Sequence, residues 1–350
     1  DFKIYCLIRG KSEAHAKNGL KEKLHYYFND ALDSYFDNRI ITLRGDFTDE
    51  NLGLSENNYT KLSHNIKTVI NSAASVKHLG DDMYFEKVNV ISVKNLINFC
   101  KVAPDIQLVH ISTLSVSGTT NNSTEMCTFT EEDLFINQDF DDNVYIKTKF
   151  EAEKLLHDAM LSGLNVTIFR LGNITWRNKD GKFQYNGSEN LFYNLMKYIV
   201  KVKMLPIALK DKTFNLSPVE DCSNLIVSIL LNDNRNNVYH IYNPNTITLE
   251  GIVNILNELN LNIKFVDNSY SMMTLEKNFD KIELSAYIYE LLNTSNAKNN
   301  IEVSNPYTMQ VLKELNFNWS SINSEYLNKG LEELWDEEFK ETLDKISISI

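Results

Sequence analysis

No apolar run in this 350-residue chain approaches the roughly 18 residues that a membrane span needs. The opening residues DFKIYCLIRG do not have the pattern of a secretory signal. A basic excess is missing too: the formal net charge is -12, which argues against broad binding to a nucleic-acid backbone. The four cysteines, Cys6, Cys100, Cys127 and Cys222, form no Cys-x-x-Cys pair, and the seven histidines show no metal-ligand spacing. These absences leave no disulfide framework, no structural metal, no membrane anchor and no nucleic-acid partner, and they imply a reducing, cytoplasmic setting. No Gly/Pro-rich linker divides the chain, and no internal repeat stands out beyond a bias toward asparagine.

What is present suits a globular core: 43% of residues are hydrophobic and 23% are charged. Up to about residue 170, short β-branched runs alternate with longer amphipathic ones. The runs KIYCLI (3–8), IITLRG (40–45), TVINSA (68–73), IQLVHIS (106–112) and NVTIFRL (165–171) read as strands. Residues 13–28, 84–100 and 144–162 read as helices. This order predicts a doubly wound parallel α/β sheet, with ligands bound at the carboxyl ends of its strands. NVYHIYN (237–243) extends the sheet after an irregular insertion, 176–214, rich in aromatics and lysines. The expected division is a Rossmann-like domain over 1–247 and a mostly helical subdomain over 248–350, with helices in LEGIVNILNEL, LSAYIYELL and YLNKGLEELWDEEFKETL. The chain begins on Asp1 and enters a strand-like run at once, so it is expected to be a piece of a longer one.

Chemistry is therefore sought just after each strand. Arg9 closes the first run, where an arginine accepts the phosphate that distinguishes NADP from NAD; a solvated strand-end arginine is the plainer alternative. GDFTD (45–49) and INSAASVKH (70–78) are compatible with cofactor loops and equally with tight turns. HISTLSVSG (110–118) places Ser112, Thr113 and Ser115 at the end of a long apolar strand. About thirty residues later Tyr145 and Lys149 share one helix face. The same spacing recurs at Tyr193 and Lys197, without such a strand before it, so the order of features, and not the pair, is informative.

The ordered motifs IYCLIRG, GDFTD, NSAASVKH, VNVISVKNL, HISTLSV, YIKTKFEAEKL, FRLGNIT and SPVEDCSNLI resemble an extended short-chain dehydrogenase/reductase. More specifically, they resemble the thioester reductase domains that end many nonribosomal peptide synthetases. That resemblance implies a catalytic set of Thr113, Tyr145 and Lys149. For NADPH it implies Arg9 at the 2′-phosphate, Asp46 and Phe47 at the adenine, Ala73, Ala74 and Asn89 along the cofactor, and Asn173 and Ile174 beside the nicotinamide. Lys17 or Lys21 stands in for a second basic residue. The family's first strand and Gly-rich turn have no counterpart here, and that strand is expected between the strands at 3–8 and 68–73.

The implied function is NADPH-dependent release of an acyl or peptidyl thioester from the phosphopantetheine arm of a carrier protein, as an aldehyde or onward to the alcohol. Upstream synthetase modules are expected in the same longer chain. Alternatives are a stand-alone fatty acyl or carboxylic acid reductase, a sugar or steroid dehydrogenase on the same scaffold, or an NADP-binding module without catalysis. The lysines at 197, 201, 203, 210 and 212, with Arg177 and Lys179, are the candidate carrier-docking surface, or else a solvated helix face.

Overall fold

The computed structural model describes residues 2–75, 82–103, 105–120, 126–140, 143–187, 190–232, 236–258, 260–267 and 301–334. Strand β1 (Ile4–Ile8) leads into helix α1 (Glu13–Phe28), which starts where the Ser12 hydroxyl accepts the His15 N–H at 3.1 Å. Strand β2 (Ile40–Arg44), helix α2 (Glu56–Ser63) and strand β3 (Thr68–Asn71) follow. Helix α3 (Asp82–Phe85) runs through a π turn, Glu86–Ile91, into α4 (Ser92–Lys101), and the chain returns as β4 (Gln107–Thr113). Helix α5 (Val144–Leu161) is capped by Asn143, whose side chain accepts the Ile146 N–H at 3.1 Å.

β1 and β2 form a parallel pair, and β3 pairs parallel with β4. The second sheet continues from β4 to Val166–Leu171 and then to Val238–Ile241. β1 and β3 are not hydrogen-bonded to each other, and no strand among the described residues pairs with both. The expected place of a central strand is thus not filled from within those residues.

Contacts divide the chain into two units. The first comprises residues 1–118, 131–170 and 235–239; the second, 119–130, 171–234 and 240–350. In the first, Leu96, Phe99 and Cys100 of α4 meet Leu108 of β4, Ala152 and Leu156 of α5, and Ile168. Each large side chain buried there contributes roughly 1.5–3 kcal/mol.

The second unit is built around Trp176, Met196, Ile199, Ile252, Tyr326 and Leu331. This corrects the reading of 176–214 as irregular: it holds a helix, Leu191–Val202, capped by Asn190. Phe192, Leu195, Met196 and Ile199 make that helix's apolar stripe, which packs with Ile252 and Leu256 of the helix Leu249–Glu258. The same packing is why 171–234 groups with the C-terminal residues and the units do not follow a boundary at 247. Beyond 248 the described residues also include strands, Lys264–Val266 and Ile301–Val303, which pair in parallel with Met204–Pro206 and Cys127–Phe129. The helix expected in LSAYIYELL and the end of that expected in YLNKGLEELWDEEFKETL lie outside the described residues.

Candidate active site

Alternation along β4 sends Leu108, His110 and Ser112 to one face, and all three are buried. Helix α5 supplies the facing groups at intervals of four residues: Tyr145, Lys149 and Glu153. Thr113 ends the strand and caps the turn Leu114–Ser117, its Oγ1 accepting the Ser115 N–H at 3.2 Å. Its hydroxyl also hydrogen-bonds the Tyr145 phenol. Gly118 completes the turn at φ +59°, where a Cβ would collide with the Asp139 carbonyl.

The expected catalytic residues therefore meet where α5 packs on β4. Lys149 Nζ lies 3.1 Å from His110 Nε2 and donates to the Ile111 carbonyl at 2.7 Å. Burial lowers Lys149 to about 8, against a smaller upward pull from Glu153. Burial raises Tyr145, with the Thr113 hydrogen bond opposing. The phenol is thus held above its ordinary range and not brought down toward neutrality, because desolvating a phenolate outweighs the help it receives.

Beneath these groups sits a buried network that motif reading missed. Arg170 donates to Glu153 through Nε and NH2, at 3.0 and 2.8 Å, and Ser112 donates to the same carboxylate. The signal was a carboxylate four residues after Lys149 and polar side chains on the inward face of an apolar strand.

Residues expected to hold the cofactor fall into three groups. Arg9, Asp46 and Phe47 come together at the ends of β1 and β2, with the exposed Arg9 guanidinium 5.9 Å from the Phe47 ring centroid. Asp46 Oδ1 accepts from the Thr48 N–H and hydroxyl at 2.9 and 2.7 Å, and Asn95 pins the loop by donating to the Phe47 and Asp49 carbonyls. A planar cation over an aromatic ring suits a phosphate beside an adenine, so the donor set fits a dinucleotide carrying that group. Lys17 and Lys21 are engaged elsewhere, on Asp37 and over the Phe36 ring.

Ala73 and Ala74 follow β3. Asn89 is 3% exposed and braces their loop: its side chain accepts the Ser75 N–H at 2.9 Å and donates to Thr148 of α5 at 3.0 Å. Among the described residues its contacts are with the protein, and they tie the loop after β3 to α5. Asn173 and Ile174 belong to the second unit. The residues 76–78 of the small-residue motif lie outside the described residues.

A parallel α/β sheet split at the first two strands, with a hydroxyl and a phenol joined at a strand's end, defines a dinucleotide-binding protein of the extended dehydrogenase/reductase class. The chain belongs to the NAD-binding family described as Male sterility protein, which matches residues 1–226. It is 24% identical over 254 residues to a component of the linear gramicidin synthase of Brevibacillus parabrevis, a match covering 72% of this chain and 5% of that protein. The chain thus spans a small part of that synthase. A solved thiolation-reductase di-domain from an archaeal nonribosomal peptide synthetase superposes with a TM-score of 0.84 and 29% identity, covering 95% of this chain and 70% of that one. The terminal R domain of the myxalamid PKS-NRPS pathway gives 0.80 and 22%, covering 95% and 83%. No helix among the described residues is long and apolar enough to cross a membrane.

Proposed function

We propose that the chain is an NADPH-dependent reductase that releases an acyl or peptidyl thioester from a carrier protein's phosphopantetheine arm as an aldehyde. The meeting of the Thr113 hydroxyl with the Tyr145 phenol at the carboxyl end of β4 carries this reading, because two hydroxyls that turn from each other and from Ser115 to a bound carbonyl supply donors where its oxygen gains charge. The similarity to a thiolation-reductase di-domain supports the carrier as partner, and the similarity to part of a much longer synthase supports upstream synthetase modules in a longer chain. When bound, the reduced nicotinamide supplies a hydride to the thioester carbonyl carbon. Thr113 donates a hydrogen bond to the carbonyl oxygen as charge develops there, and Tyr145 gives that oxygen its proton. The C–S bond then breaks, the oxygen's proton passes to the departing thiolate, and aldehyde and free thiol leave. Arg9 selects NADPH by its contact with the 2′-phosphate, Asp46 and Phe47 border the adenine, and Ala73 and Ala74 line the loop after β3 along the cofactor.

The test is NADPH oxidation, followed by absorbance, with an acyl-pantetheine thioester. Tyr145→Phe should lower turnover by about 10²–10⁴-fold, the usual span for a lost proton donor, and leave NADPH affinity intact. Parallel loss of both would remove the assignment, and tight NADPH binding without turnover in the unaltered protein would favour a module that binds cofactor without using it.

A further inference from the structure

Three consecutive residues of β4 bond to α5 at three successive turns. The Ile111 carbonyl accepts from Lys149 Nζ at 2.7 Å, the Ser112 hydroxyl donates to the Glu153 carboxylate, and the Thr113 hydroxyl meets the Tyr145 phenol. From the neighbouring strand, Val166–Leu171, Arg170 donates to Glu153 through Nε and NH2 at 3.0 and 2.8 Å. Glu153 and Arg170 are 0% and 1% exposed, so this ion pair lies out of reach of water.

Stability does not account for such a pair. Taking two charges out of water costs about as much as their attraction gives back, and apolar side chains of the same volume often fill the space as well or better. What the pair supplies is direction. Ala152, Leu156 and Ala159, which α5 buries in the core, make contacts that a small slide of the helix leaves almost unchanged. Lys149 reaches Ile111 on a flexible four-carbon stem and can follow such a slide. Glu153 cannot: a planar guanidinium on one side and a strand hydroxyl on the other fix where its two oxygens lie. Moving α5 by one residue shifts it about 1.5 Å and turns it roughly 100°. That takes the carboxylate off both partners and Tyr145 off Thr113 at once.

We propose that Glu153, gripped by Arg170 and Ser112, is a positioning residue that sets the height of α5 on β4 and so brings the Tyr145 phenol to the Thr113 hydroxyl. Its consequence for turnover rests on the reductase reading above; the placement of the helix does not.

The test compares two neutral pairs in the full chain. Glu153→Gln with Arg170→Gln keeps hydrogen-bonding groups for each other and for Ser112, and Glu153→Met with Arg170→Met removes them. Both pairs delete the same charges, so the pull of Glu153 on Lys149 is lost equally, and neither leaves one charge buried alone. With NADPH and an acyl-pantetheine thioester, the glutamine pair should lower kcat by no more than about threefold and the methionine pair by about 10²-fold, the effect of a misplacement of about 1 Å. NADPH affinity and the thermal midpoint should be alike in the two. Equal kcat in both pairs, or NADPH affinity lost together with kcat, overturns the proposal. Should either pair not fold, Ser112→Ala decides: a kcat about three- to tenfold lower at unchanged NADPH affinity supports the grip, and full activity overturns it.

A second readout needs no turnover. The Cζ resonance of Tyr145 in tyrosine-labelled protein, assigned by the signal lost in Tyr145→Phe, should keep its shift in the glutamine pair and move in the methionine pair; a signal unmoved in both overturns the proposal. If the unaltered protein reduces no thioester and the shift moves as expected, the functional reading fails and the placement of α5 by Glu153 stands.

Discussion

A lysine with 2% of its surface exposed is either matched by a counter-charge or neutral. Lys149 is lowered from its ordinary 10.5 to about 8, chiefly by burial, and that has a consequence for stability. Below about 8 both the folded and the unfolded chain hold the proton. Between about 8 and 10.5 the unfolded chain keeps a proton that the folded chain has lost, so this residue makes the fold more stable as pH rises through that window. The expected gain is at most roughly 3 kcal/mol. Denaturant titrations at several pH values should show this rise in the unaltered protein and its loss in Lys149→Met; equal slopes would place the lysine in water. The place of Thr113 at a strand end and of Tyr145 and Lys149 on one helix face was legible in the sequence because both are local features. Which way Lys149 turns was not, since His110 lies 39 residues away from it and on another element.

Helices α1 and α5 were legible almost to the residue because their ends carry Ser12 and Asn143, residues that cap. The π turn Glu86–Ile91 was not, for nothing in its composition departs from an ordinary helix. It sits where Asn89 reaches both Ser75 and Thr148, so a tertiary contact gives it its purpose. The helix Ser324–Leu334 shows the same dependence on its neighbours. Gly330 lies flat against the Trp176 indole, and a Cβ there would overlap the ring, which is also stacked on Tyr326 at 5.5 Å. Gly330→Ala, although it favours helix locally, is therefore expected to cost about 1–3 kcal/mol. A lowered thermal midpoint would show it, whereas a raised one would mean that the helix shifts freely.

Taken as a whole, the chain is strongly acidic, yet its proposed partner, a carrier protein, is expected to present an acidic surface as well. Docking then needs a local basic face, and Lys201 and Lys203 lie on and just after the helix Leu191–Val202. Other members of that lysine group are spent within the protein: Lys210 pairs with Glu250 at 3.1 Å and Lys197 lies over the Tyr193 ring. Reversing Lys201 and Lys203 to glutamate should raise the apparent Michaelis constant for a carrier-bound thioester and spare that for a free pantetheine thioester; equal changes would remove the docking assignment. Sequence by itself determined the strand–helix order and the place of the hydroxyl, phenol and amine along it, because hydrophobic period acts over a few residues. Only the tertiary structure decided the boundary between the two units, the helix within 176–214 as part of a core and the burial that sets Tyr145 high and Lys149 low. Those properties depend on which distant side chains exclude water from a group, and no local pattern records that.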